Sequence, residues 1–153
     1  SIVSGKPDNL SYRLALASFL GQTEQIDKAE EVLREAIAAD PEDAQRYLIL
    51  ADFLANKRSK QAAIDELKRG IKENPGLIEL EFGLVNLYLK DGQNDEAQAV
   101  LNDVIQRQGL ESAGLRARVA MAQMIAAEDP ESERVSVLIE EVLKENPSDN
   151  DAL

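Results

Sequence analysis

The side chains that carry most enzymatic chemistry are missing from this chain. It has no cysteine and no histidine, which excludes thiol nucleophiles, imidazole bases and the common zinc ligand sets. Gly76 and Gly83 stand isolated, outside any GxxxxGK or GxGxxG pattern that would cradle phosphate. Carboxylates are abundant, and paired carboxylates can divide acid and base work between them. The pairs here, Glu30-Glu31 and Glu140-Glu141, are sequence neighbours. On a helix, neighbours point about 100° apart, so these pairs read as solvated helix faces. Asp91-Gly92-Gln93-Asn94-Asp95-Glu96 offers the residue types of a calcium loop without its spacing or its closing glutamate, and reads as a turn. We expect no catalytic residue, no cofactor and no metal.

Charge narrows the partners. The net charge is −12, which disfavours nucleic acid, where Lys and Arg must neutralise phosphate, and equally an anionic membrane surface. No apolar run approaches the ~20 residues of a membrane span, so direct membrane insertion is not expected. The opening Ser1-Ile2-Val3-Ser4-Gly5-Lys6 lacks the apolar core of a signal peptide. Absence of cysteine suits cytoplasm and periplasm alike. Few aromatics and many alanines and leucines favour closely packed helices over sheets.

The elements that organise these residues repeat. Pro7, Pro41 and Pro75 are spaced by 34 residues, and one more step reaches Gly109, which reads as a helix end. A fixed period of this size marks stacked helical hairpins. In a common register, Leu16-Ala17, Leu20, Ala29, Leu33 and Ala36-Ile37 match Leu50-Ala51, Leu54, Ala63, Leu67 and Gly70-Ile71. They also match Leu84-Val85, Tyr88, Ala97, Leu101 and Val104-Ile105. Each unit thus carries two apolar stripes at helical spacing. The stripes are parted by turn-like breaks at Gln22–Gln25, Asn56–Ser59 and Asp91–Asn94. A small residue at Ala29, Ala63 and Ala97 would let the two helices of a hairpin approach closely. From Gly109 to Pro147 the step is four residues longer, and the surplus is expected in a connection at 127–132.

These residues resemble the tetratricopeptide repeat (TPR), a 34-residue helix–turn–helix unit. The third unit matches best through Leu84, Tyr88, Gly92, Asp95-Glu96-Ala97 and Leu101, whereas the first two lack the turn glycine and the usual early tryptophan. The resemblance implies an all-α fold, a right-handed α-solenoid of antiparallel hairpins with about four repeats. Read this way, 1–153 is a single repeat domain. Residues 1–7 end a preceding repeat, 8–41, 42–75 and 76–109 are repeats, 110–147 is a divergent one, and 148–153 opens another. The chain is accordingly expected to be a stretch of a longer array.

In such an array the first helix of each unit lines a concave groove. The resemblance places Ser11, Leu14, Ser18 and Gln22 there, then Gln45, Leu48, Asp52 and Asn56, then Glu79, Phe82, Asn86 and Lys90, and finally Ala117, Met121 and Ile125. Leu14, Leu48, Phe82 and Met121 are assigned to one repeat position, so they would either form an apolar strip for a partner segment or pack against neighbouring helices. The first option predicts that Phe82→Ala or Leu48→Glu weakens partner capture without unfolding. Asp52 and Asn86 could hydrogen-bond a peptide backbone. Domains that clamp the carboxylate tails of Hsp70 or Hsp90 use Lys and Asn at these positions. The pairs Leu14/Ser18, Leu48/Asp52 and Phe82/Asn86 lack the lysine, so that role is not expected. The expected function is a non-catalytic scaffold that binds a protein or peptide. The alternative is a substrate-handling or assembly arm of a larger enzyme or of a secretion or exopolysaccharide machinery.

Overall fold

In a computed structural model of the protein, residues 9–145 are described; the repeat ends expected at 1–7 and 148–153 lie outside them. The described residues form eight α-helices and no strand. They are α1 (Leu10–Gln22), α2 (Ile26–Ala39), α3 (Ala44–Lys57), α4 (Lys60–Glu73), α5 (Ile78–Lys90), α6 (Asn94–Gln108), α7 (Ser112–Glu128) and α8 (Glu133–Glu145). The chain divides into two compact units, Ser1–Leu87 and Tyr88–Leu153, with the division inside α5.

In the first unit, polar side chains set the helix starts. The Asn9 side chain accepts from the Tyr12 amide at 3.2 Å, Asp43 from Gln45 at 3.0 Å and Ser59 from Ala62 at 3.0 Å, each satisfying one otherwise orphaned N–H. Ala29 and Ala63, the small residues of the repeat register, are fully buried. Helix α2 packs on α1 and α3, and α3 on α4. Tyr47 ties two turns together: its hydroxyl donates to the Pro41 carbonyl at 3.2 Å and accepts from Asn74 at 2.9 Å. Its ring lies so near Gly70 that a Cβ there would stand 3.0 Å from Tyr47 Cδ1 and 3.1 Å from Leu80 Cδ1. Arg46, buried on α3, donates to the Ala36 carbonyl at 2.7 Å and to Asp43 at 3.0 Å, so it closes the C-terminal end of α2.

The second unit repeats the hairpin with changed parts. Ala97 is again fully buried, with Leu101 and Val104 beside it. Gly109 ends α6 at φ 52, the left-handed conformation that glycine adopts without steric cost. Arg118 does on α7 what Arg46 does on α3. Its guanidinium donates to the carbonyls of Gly109 at 2.5 Å and Gly114 at 3.2 Å and pairs with Glu141 of α8 at 2.6 Å. The four surplus residues are not a loop insertion. Helix α7 has 17 residues where α1, α3 and α5 have 13, 14 and 13, and only 129–132 separate it from α8. Of the expected 127–132 connection, Ala127 and Glu128 belong to the added helical turn and 129–132 are the link itself.

The turn glycine absent from the first repeat has a substitute. Glu24 sits at φ 59 at the register where Gly92 adopts φ 72. A left-handed non-glycine residue costs roughly 1–2 kcal/mol, and the closure of α1 onto α2 tolerates that cost.

Candidate functional site

Within the first unit the leading helices α1, α3 and α5 touch at glycines. A Cβ on Gly21 of α1 would lie 3.4 Å from Phe53 of α3. A Cβ on Gly83 of α5 would collide with the Cδ2 of Leu48 on α3 and meet Leu67 at 3.4 Å. Leu48 thus occupies the space left by the missing side chain of Gly83.

Exposure sorts the predicted groove residues. Ser18 on α1, Gln45 and Asp52 on α3 and Asn86 on α5 are exposed. Among the described residues their side chains make no hydrogen bond with one another or with other groups. The Asp52 main-chain carbonyl accepts from the Asn56 side chain at 2.8 Å. Leu14 and Leu48 are half-buried beside them. These six residues provide polar groups above partly covered apolar surface on adjacent helices.

Two predicted contact residues need correction. Phe82 is only 7% exposed, so Phe82→Ala is a core truncation and not a surface probe. Met121 and Ala117 are fully buried. The apolar strip is therefore interior at these two positions, and Met121 follows Phe82 by 39 residues where the repeat register is 34. Leu48→Glu is likewise no neutral probe, because its tip fills the Gly83 hollow. Lys90 is exposed in the last turn of α5, where a cation complements the C-terminal end of the helix dipole.

A charged chain that the sequence reading did not single out joins α2 to α4 in the first unit. Arg58 pairs with Asp27 at 2.5 Å and Glu30 at 2.9 Å. Arg34 pairs with Glu30 at 2.8 Å and Glu66 at 2.9 Å, and Arg69 pairs with Glu66 and, at 2.7 Å, with Glu73. Burial alone would push the Glu30 carboxyl up. The hydrogen bonds and charges of Arg34 and Arg58 outweigh it and hold Glu30 below its ordinary value. An open hollow of about 540 Å³ on this side is lined in part by the same residues, Asp27, Glu30, Arg34 and Arg58. Their mutual pairing makes it a brace between helices. The sequence signal existed, since Glu30, Arg34, Arg58, Glu66 and Arg69 recur at helical spacing, but partners 28 and 32 residues apart are visible only once the hairpins are stacked. Among the described residues no group of three or more potential metal ligands converges, and no helix is long and apolar enough to cross a membrane.

Hairpins of this length and register match known proteins. Two tetratricopeptide repeat family models match residues 12–78 and 54–119, and together they run through most of the chain. The chain belongs to the tetratricopeptide repeat family. A curated relative, a mitochondrial pentatricopeptide repeat-containing protein of Arabidopsis thaliana, is 31% identical over 112 residues. That match takes in 67% of the TPR chain and 18% of the relative, so the chain spans less than a fifth of the relative's length. Among solved structures, MamA is 21% identical with a TM-score of 0.60 over 95% of this chain and 83% of its own. TTC0263, a thermophilic TPR protein of Thermus thermophilus, is 18% identical with a TM-score of 0.62 over 98% and 80%. YrrB, described as a TPR protein with an unusual peptide-binding site, is 15% identical with a TM-score of 0.52 over 99% and 93%. At these identities the likeness is one of fold: an all-α TPR-like solenoid.

Proposed function

We propose that this TPR protein is a non-catalytic scaffold and that the leading helices of its first unit receive a segment of a protein partner. The observation that carries the reading is the set of exposed polar side chains Ser18, Gln45, Asp52 and Asn86. It stands beside half-buried Leu14 and Leu48 on three helices brought together at Gly21 and Gly83. Amide and carboxylate groups so placed can pair with the N–H and C=O groups of an extended peptide, while the leucines supply a shallow apolar floor. Phe82 is buried in the same unit. Lys90 and Met121 fall in the second unit. The peptide-binding site named for YrrB lends the reading support by analogy of fold.

A carboxylate tail is not the expected ligand, since no lysine stands beside Asp52 or Asn86 at the matching positions. Substituting Asp52→Arg and Asn86→Arg together leaves the buried core untouched. It should abolish recovery of a partner cross-linked through a photoreactive residue at position 45. Unchanged cross-linking to the same partner peptides would overturn the surface assignment. Tight binding of single-stranded RNA in a low-salt titration would overturn the choice of a protein ligand.

A further inference from the structure

The charges on the leading helices of the first unit are sorted by sign. Helix α1 has one charged residue, Arg13; α3 has Arg46, Asp52 and Lys57; α5, as far as Leu87, has Glu79 and the buried Glu81. Each cation in this set faces a carboxylate. Arg13 pairs with Glu35 of α2 at 3.0 Å, Arg46 is buried against Asp43 at 3.0 Å, and Lys57 stands 3.9 Å from Glu24. At the positions that the repeat register assigns to the groove, the charged residues of this unit are Asp52 and Glu79, both exposed and both anionic.

Asp52 has the central place among them. It shares one repeat position with Ser18 and Asn86, each 34 residues away, and follows Leu48 by one helical turn. The side chain best placed to serve its carboxylate turns elsewhere: Asn56, four residues on, donates to the Asp52 main-chain carbonyl at 2.8 Å. Among the described residues no donor meets the carboxylate itself.

Covering such a group has a cost that depends on what covers it. Beneath a neutral side chain the carboxylate loses hydration without full replacement, and beneath another carboxylate it is repelled as well. A lysine or arginine supplies charge-assisted hydrogen bonds in exchange. Given that the leading helices of the first unit receive a partner segment, as proposed above, the sign of that segment follows. We infer that Asp52 selects it: the segment is basic, with an apolar side chain over Leu14 and Leu48 and a lysine or arginine against Asp52. Acidic segments are turned away by Asp52 and Glu79 together, a repulsive element of the kind that makes an interface specific.

The test uses the full chain, isotopically labelled, and three capped peptides, Leu-Ser-X-Ser-Leu-Ser-X, in which X is lysine, glutamine or glutamate. In an extended peptide, residues two apart share a face at about 6.6 Å, close to the ~6 Å that separates Leu48 from Asp52 along α3. The lysine peptide should shift the NMR signals of Ser18, Gln45, Asp52 and Asn86 and bind tightest of the three. Asp52→Asn should weaken it roughly three- to fivefold. Glu140→Gln makes the same change of net charge at an exposed position of α8, and should alter binding less than about twofold at physiological salt. Asp52→Lys should invert the order, so that the glutamate peptide binds best. Three outcomes overturn the charge selection and leave the groove standing. The glutamine or glutamate peptide binds wild type as tightly as the lysine peptide at the same residues, Glu140→Gln weakens binding as much as Asp52→Asn, or Asp52→Lys keeps the original order. Shifts centred away from α1, α3 and α5, or none up to about 1 mM, overturn it together with the groove. Asp52 and Glu140 are exposed, and an unchanged spectrum away from each substitution confirms that the variants fold.

Discussion

The two units solve the same packing problem with different parts. In the first, leading helices approach through Gly21 and Gly83, whose neighbours are the tips of Phe53, Lys57 and Leu48 side chains. In the second, Gly114 of α7 faces backbone: a Cβ there would overlap the Gly109 carbonyl oxygen and stand 3.0 Å from its carbon. The first unit leaves polar side chains exposed on its leading helices and braces α2 against α4 with an arginine–carboxylate chain. In the second, Ala117 and Met121 of α7 are buried and Arg118 holds the hairpin from inside. The leading helices therefore leave Leu14 and Leu48 half-buried in the first unit while Phe82 there and Met121 in the second are buried. What decides between them is the residue that the adjoining helix presents.

The largest test of that contrast is truncation of apolar side chains on the leading helices. Phe82→Ala and Met121→Ala should each cost about 2–5 kcal/mol, since each removes a buried side chain and leaves a cavity. Leu14→Ala, half-exposed, should cost less than about 1 kcal/mol. Urea unfolding of the three variants would reverse the assignment if Leu14→Ala proved the most damaging.

Next come the glycines. Gly114→Ala is expected to destabilise by about 1–3 kcal/mol, because backbone cannot step aside. Gly83→Ala should cost less, because the Leu48 tip can change rotamer. Equal losses would mean that Leu48 is as fixed as a main chain.

The brace in the first unit predicts a pH response. Glu30 has its folded-state pKa lowered from 4.5. Its stabilising contribution is complete above that ordinary value and is lost as pH falls through the lowered one. Arg34→Met should therefore reduce stability at neutral pH and flatten the loss between neutrality and acid. A variant whose acid unfolding curve is parallel to wild type would remove Glu30 from the account.

The smallest effect concerns the turns. Glu24→Gly should stabilise by up to about 1 kcal/mol, since glycine relieves the left-handed strain and its extra unfolded-state freedom offsets part of the gain. The ion pair lost with it, to Lys57 at 3.9 Å, is exposed and worth little. Thermal melts of this variant beside Gly92→Ala, which should destabilise, compare the two turns directly.

Much of the architecture could be read from residue types alone. The 34-residue period, the buried Ala29, Ala63 and Ala97 and the stops at Asn74-Pro75 and Gly109 are local signals, each tied to a backbone need. The candidate surface was legible only in part. Ser18, Gln45, Asp52 and Asn86 are exposed as polarity suggests. The fate of the apolar position depends on facts elsewhere in the chain: the Leu48 tip fits because residue 83 is glycine, and Phe82 is buried. Glu24 shows the same limit in a turn, where closure of the hairpin overrode the preference of one residue. Partners that meet across a hairpin stack, such as Arg34 and Glu66, leave no mark in local pattern.

The length of α7 has a consequence for how such chains can grow. Four added residues wind an α-helix through about 400°, only some 40° beyond a complete revolution. The turn added at the end of α7 follows Ala117 and Met121, which stay buried. A gain of two residues ahead of them would turn the same side chains to water. Lineages of this fold should accordingly accept insertions inside a helix in steps of three or four, and push every other length into the links.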